Sequence, residues 1–312
     1  MLRFNRMREV NLPLIRIGIL GFDTSHAVQF TKRINHVGIS EDQWVEGARV
    51  VMGYPGGPSS FVTDEVIAER TEVIRDAGVQ IVDSAEALIG NVDAVLLEFQ
   101  DGGQHLEQAR PFIEAGIPLF IDKPFTCSVA DAKKIAELAR EKGVPVFSSS
   151  SLRYALEVQN LKSRTDLGAI LGVDVYSPGP SHPKNPGLFN YGIHGVEMIY
   201  ALMGQGCRSV RCIWDGRWEK VIGLWEDGRI GTLRAIREGA RGYGFTAFCE
   251  KGIVPSTIDT RYIYLELLKR IIGMFQTGKP PISIEETVEI MAFMEAALKS
   301  AREDGAEQRV ET

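Results

Sequence analysis

No stretch of this 312-residue chain holds the roughly 20 consecutive apolar residues that a membrane-crossing helix needs. The run from Leu12 to Leu20 is too short and is interrupted by Pro13 and Arg16, so it reads as a first β-strand, even with Arg3, Arg6 and Arg8 ahead of it. Blocks of basic residues are missing too. With 35 Lys and Arg against 41 Asp and Glu, for a net charge of −6, nothing supplies the positive stripe that a phosphate backbone requires, which excludes nucleic acid as the expected partner. Cysteine is scarce, and Cys127, Cys207, Cys212 and Cys249 form no CxxC pair and have no histidine at zinc-ligand spacing. They read as reduced thiols of a soluble cytoplasmic protein, with no metal site implied. Internal repeats and low-complexity tracts are absent as well.

What is present fits a large globular α/β protein. Hydrophobic residues make up 44% and charged residues 24%, and the 32 glycines suggest many tight βα turns. The length points to two domains sharing a cleft, residues 1–150 and 151–312. In the first, β-branched runs at 15–20, 49–53, 79–82, 93–97, 118–121 and 144–148 alternate with helical patterns at 25–36, 61–77, 104–115 and 131–141. Such βαβ alternation predicts a doubly wound parallel sheet, a Rossmann domain. The second half shows strand-like runs at 172–176, 209–214, 221–225, 230–237 and 244–249, separated by glycine turns, with helices at 191–203, 262–276 and 285–302. That pattern predicts an α+β domain with an open, mainly antiparallel sheet, one face of which is free to meet another subunit.

Three clusters carry chemistry. After its first strand a dinucleotide fold places G-x-G-x-x-G, so that the turn is tight and pyrophosphate reaches the helix N-terminus. Here the segment is Gly21-Phe22-Asp23-Thr24-Ser25-His26, in which only the first glycine survives. A carboxylate at Asp23 costs Coulomb energy beside pyrophosphate unless it points away. Asp23, Thr24 or Ser25 is equally suited to cap the helix, and His26 to bind an anion. The second strand ends at Gly53 and Tyr54 with no acid for a ribose and no arginine for a 2′-phosphate, which leaves NAD and NADP both open.

The second cluster is Asp122-Lys123-Pro124, at the carboxyl end of a buried strand, where open α/β sheets bind ligands and where an ammonium can polarise an oxygen. A plain surface lysine is the bland alternative. The third cluster runs from Asn190 through Tyr191 to His194 and Glu197. Asn190 and His194 are four apart and share a helix face if the helix already includes Asn190. His194 is suited to take a hydroxyl proton as hydride leaves, or is a structural histidine.

With these clusters in this order, the chain resembles the Gfo/Idh/MocA oxidoreductase family, which pairs a Rossmann domain with an α/β domain built on an open sheet. The likeness includes Asp122-Lys123-Pro124, the helix after His105, Arg153-Tyr154, the His194 helix and the final 281–286 segment. The resemblance implies a nicotinamide lying alongside Lys123, a catalytic role for Lys123 and His194, and cofactor contacts at Gln100 and Asp101. Asn190 stands where family members usually carry an aspartate. It also implies a homodimer or homotetramer through the second sheet, with Trp214, Trp218 and Trp225 as sources of contact area. Arg153, Tyr191 and His182 are candidates for holding a sugar-like substrate.

The leading expectation is an NAD(P)-dependent dehydrogenase or reductase acting on a polyol or sugar hydroxyl. Two alternatives remain beside it. One is a redox-neutral epimerase or lyase with tightly held NAD, and the other a non-catalytic sugar-binding protein that has lost dinucleotide binding.

Overall fold

A computed structural model describes residues 14–312, so Arg3, Arg6, Arg8 and the start of the Leu12 run lie outside the described residues. Two sheets organise the chain. The first contains β1 (Ile15–Leu20), β2 (Ala48–Tyr54), β3 (Gln80–Ile81), β4 (Ala94–Leu97), β5 (Leu119–Ile121) and β6 (Val146–Phe147). All are parallel, in the order β3-β2-β1-β4-β5-β6. The central strands are apolar on both faces because helices cover both sides, as β4 shows with all four residues buried. Helices α1 (Ser25–Asn35), α2 (Asp64–Asp76), α3 (His105–Glu114) and α4 (Val129–Lys142) make the crossovers.

Strand order reverses between β1 and β4, and there the loops leaving both strands diverge and open a crevice above their carboxyl ends. Gly21 turns the chain out of β1 at φ 83°. A Cβ at that position would stand 2.5 Å from the backbone nitrogen of Phe99, so this turn requires glycine.

The second sheet joins β7 (Ile170–Pro178), β8 (Cys207–Trp214), β9 (Trp218–Trp225), β10 (Ile230–Ile236), β11 (Gly244–Cys249), β12 (Gly252–Thr257) and β13 (Gln308–Arg309) in the order β12-β11-β7-β10-β9-β8-β13. It is mainly antiparallel, but β7 and β10 pair in parallel, because two strands and a helix intervene between them in the chain. Sequence patterning missed β12, β13 and helix α5 (Leu156–Ser163). The first carries Pro255 on an edge, and the other two are too short to show a period.

One face of this sheet is covered by α6 (Ile193–Met203) and α8 (Ile284–Arg302), whose buried side chains include Tyr200 and Phe293 around Trp225. Trp225 is therefore core, whereas Trp214, opposite Glu219 at the end of β8, lies on the same covered face but beyond the helices and is exposed. Helix α7 (Ile263–Thr277) crosses back to the first sheet, where Leu267, Leu268 and Ile271 join the core around Ile17, Phe30 and Phe120. No described helix is long and apolar enough to cross a membrane.

Candidate active site

The site grows from the carboxyl ends of β1, β4 and β5. Backbone bonds from Glu98 to Leu20 (2.7 Å) and from Asp122 to Leu97 (2.8 Å) extend the parallel ladder one residue beyond the strands. Two carboxyl side chains are thereby set side by side inside the protein. His26, in the first turn of α1, closes on them, with its Nδ1 2.7 Å from Asp122 Oδ2 and 3.9 Å from Glu98 Oε2. Its ring stacks on Phe30 at 5.1 Å and meets the edge of Tyr264.

The two carboxyls are not equivalent. Burial and the neighbouring Asp122 push Glu98 well above the usual carboxylate range. Burial opposes ionisation of Asp122 as well, but His26, Lys123 and the Lys123 backbone N–H outweigh it and hold that carboxyl below its ordinary value. Asp122 is thus the ionised partner. The next peptide bond, Lys123–Pro124, is cis.

Lys123 and His194 meet across one cavity of about 230 Å³, lined also by Thr24, Ser25, His26, Gln100, Tyr191, Tyr243 and Tyr264. The first comes from the edge of the parallel sheet and the second from the first turn of α6. His194 Nδ1 lies 2.6 Å from Ser150 Oγ. Burial drives its pKa well below that of free imidazole, and the neighbouring Lys123 and His26 add to the effect. The ring is therefore neutral. Ser150 is itself fixed by the Leu152 N–H and by the bond from its own N–H to Glu197. Tyr243 donates to Tyr191 at 3.2 Å, and burial pushes the Tyr264 hydroxyl up to about 12.

Asn190 precedes α6 instead of belonging to it, so the shared helix face expected from its spacing does not form. Its amide donates to Pro180 O at 2.9 Å. Arg153 lies elsewhere, almost wholly buried between Glu197 (2.5 Å) and Glu286 (2.7 Å). His182 stacks on Phe61 with ring centroids 4.0 Å apart and reaches the Ser60 carbonyl, tying the loop after β7 to the loop after β2. Only Tyr191 of the three substrate candidates lines the small cavity.

A second, larger cavity of about 560 Å³ lies over the ends of β1 and β2, lined by Leu20, Asp23, Tyr54, Gly56, Gly57, Phe99 and Asp101 among others. Of the helix-cap candidates Thr24 serves, accepting from the His26 N–H at 3.2 Å. Asp23 instead turns across the crevice, accepting from Ser59 Oγ (2.8 Å) and the Gln100 N–H (3.2 Å). Burial raises its pKa against those bonds. Phe22 points into the core and its N–H donates to Pro55 O. His105 is buried with a backbone carbonyl at each ring nitrogen, Phe125 at 3.1 Å and Phe99 at 2.8 Å, and Pro124 packs against Gly102. Neither side chain lines either cavity.

Residues 16–150 match the family model described as oxidoreductase family, NAD-binding Rossmann fold. Over those residues the chain is similar to the Gfo/Idh/MocA family. An uncharacterized oxidoreductase, YhhX, from Escherichia coli K12 is 30% identical over 112 residues, 32% of each chain, so this chain aligns with about a third of that relative's length. The inositol 2-dehydrogenase of Rhodococcus jostii is 24% identical over 66% of this chain and 53% of its own. Among solved structures, scyllo-inositol dehydrogenase from Lactobacillus casei with NAD(H) and scyllo-inositol superposes with a TM-score of 0.78 over 95% of this chain and 99% of that one, at 16% identity, which is a likeness of fold.

The family is NAD-binding, and the residues fit such a group. The larger cavity has the size of a mononucleotide site, with Gly57 leaving its rim open, and the smaller one, which Lys123 lines, shares Phe61 with it. Between them stands Asp23, its carboxyl satisfied by Ser59 and Gln100. Composition and spacing gave no reason to single out Glu98, Ser150, Tyr243 or Tyr264. The one available signal was a carboxylate directly after the wholly apolar strand Ala94–Leu97.

Proposed function

We propose that the protein is an NAD(P)-dependent oxidoreductase acting on a hydroxyl or carbonyl of a sugar-like or polyol substrate. The observation that carries this reading is the meeting of Lys123 and His194, from different halves of the chain, on one cavity beside the dinucleotide crevice. Accepting or returning a hydride is the chemistry that a bound nicotinamide supplies. Lys123 holds the substrate oxygen through its ammonium and stabilises negative charge that develops there. His194 donates through Nδ1–H to Ser150, which leaves the Nε2 lone pair to receive the hydroxyl proton. Tyr191 and Tyr243 offer hydroxyls to the remaining substrate oxygens. The inositol dehydrogenases among the relatives support a polyol as substrate. The exposed apolar residues Leu171, Ile213, Ile230, Phe248 and Ile253 on the outer sheet face support pairing with a second copy.

The test is turnover of myo- and scyllo-inositol with NAD or NADP, followed by the absorbance of the reduced nicotinamide. Lys123→Ala and His194→Ala each lower kcat/KM by about a hundredfold or more. Undiminished turnover in both variants refutes the assignment. A second reading, a sugar-binding protein without dinucleotide, draws on Asp23 standing across the crevice and predicts no heat of binding with any of the four nicotinamide nucleotides.

A further inference from the structure

Among the described residues Glu98 has no hydrogen-bond partner. It is wholly buried at the end of β4, and neither carboxylate oxygen has a hydrogen-bond partner. Buried carboxyls are ordinarily hydrogen-bonded, ion-paired or on a metal, because the desolvation cost of an orphaned one is large. This one faces two further donors. One atom each from His26, Glu98 and Asp122 lies within 4.8 Å of the others, and all three residues are buried.

We propose that His26, Glu98 and Asp122 form a binding site for one divalent transition-metal ion. An ion bound at roughly 2.0–2.2 Å from each donor holds ligand atoms no more than about 4.4 Å apart, so the present cluster needs to contract by only a few tenths of an ångström at its widest. The carboxylates are placed by the rigid parallel ladder, and the imidazole is held by Phe30 and Tyr264. Asp122 Oδ1 is engaged by the Lys123 N–H, which leaves Oδ2 for the ion in place of its bond to His26. One nitrogen and two oxygens suit Mn²⁺, Fe²⁺, Co²⁺ or Zn²⁺ and not a thiophilic ion.

Three protein ligands leave a position open, and His26 opens it toward the small cavity that Lys123 also lines. The ligand class that follows is one with two adjacent oxygens, a vicinal diol or a hydroxy-carbonyl, with one oxygen on the ion and the other reaching Lys123. An ion here acidifies a bound hydroxyl, a need created by His194, whose pKa is depressed and which has Asn190 instead of a carboxylate nearby in sequence. The three ligands are 72 and 24 residues apart along the chain (26 to 98, 98 to 122), which is why no ligand spacing revealed them.

The experiment uses the whole chain, stripped with chelator and titrated separately with MnCl2, CoCl2 and ZnCl2. Thermal unfolding is followed, and retained metal is counted after gel filtration. The expected result is one ion per chain, a rise in Tm of roughly 3–6 °C at saturation, and a visible cobalt absorption band. Glu98→Gln, of the same shape but a far poorer ligand, loses the band and most of the rise. His26→Gln gives the same reading should Glu98→Gln fail to fold. The proposal is overturned if no ion raises Tm, which identifies Glu98 as simply protonated, or if the rise persists unchanged in both variants, which places the ion elsewhere.

Discussion

Replacing Arg153 with Met should unfold this protein more readily than any change at the cleft. Among the described residues the guanidinium is the only cation paired with two carboxylates of low exposure, Glu197 and Glu286, at 2.5 and 2.7 Å. Removing one partner of a buried ion pair costs about 3–5 kcal/mol, because the charge left behind is neither solvated nor paired. Here two are left, one with 4% and the other with 16% of its side chain exposed, so the upper part of that range applies. Glu197→Gln is the contrasting perturbation. The amide keeps one acceptor oxygen, enough for the Ser150 N–H or the Arg153 guanidinium but not for both, and burial already raises the Glu197 pKa against the pull of Arg153, so its cost should be about 1–3 kcal/mol, below that of Arg153→Met.

The sign with pH follows from that raised value. A carboxyl whose folded pKa lies above its unfolded one adds stability below the ordinary range, about 4.3, and loses it as pH climbs through the folded value. The difference between the parent and Glu197→Gln should therefore move in favour of Gln as pH rises from about 4 toward neutrality. Urea unfolding followed by fluorescence, at several pH values, measures both. If Arg153→Met leaves stability within about 1 kcal/mol of the parent and raises only KM for a polyol, Arg153 is a substrate residue and the buried-pair account fails.

Other changes test the cofactor crevice and the core. Asp23→Asn keeps the bonds to Ser59 or Gln100 but removes a carboxylate from the path between the two cavities, so NAD(H) should bind up to about tenfold more tightly by calorimetry. Weaker binding would mean that Asp23 contacts the nucleotide productively. Gly56→Ala puts a Cβ at φ 91° directly into the Phe99 ring, which should cost about 1–3 kcal/mol in thermal unfolding and shrink the larger cavity. Phe293→Ala opens a void beneath Tyr200 in the interior of the second sheet and should cost about 3–5 kcal/mol with little effect on KM.

Local pattern alone was enough to read the parallel sheet, its helices and the place of the crevice. The alternation of short apolar runs with amphipathic segments is a property of neighbours in sequence, and so is the lysine two residues past the end of β5. The same period revealed α6, α7 and α8 and five of the seven strands of the second sheet. It could not show that Asn190 stops short of α6, because the hydrogen bond to Pro180 that holds it outside depends on a loop ten residues earlier.

Tertiary structure decided the rest. Arg153 sits one residue before a tyrosine in a serine-rich segment, and only the approach of α6 and α8 turns it from a cleft candidate into a buried pair. Asp23 could cap, repel or bridge, and it bridges because the loops after β2 and β4 bring Ser59 and the Gln100 N–H to it. The joining of His26, Glu98 and Asp122 depends on strand order β1-β4-β5, which residues distant in sequence settle together by burying one core. Periodicity carries information over a helical turn or a strand. The energy of a buried charge depends on whatever the fold places within a few ångströms of it, and that is fixed only when the sheets close.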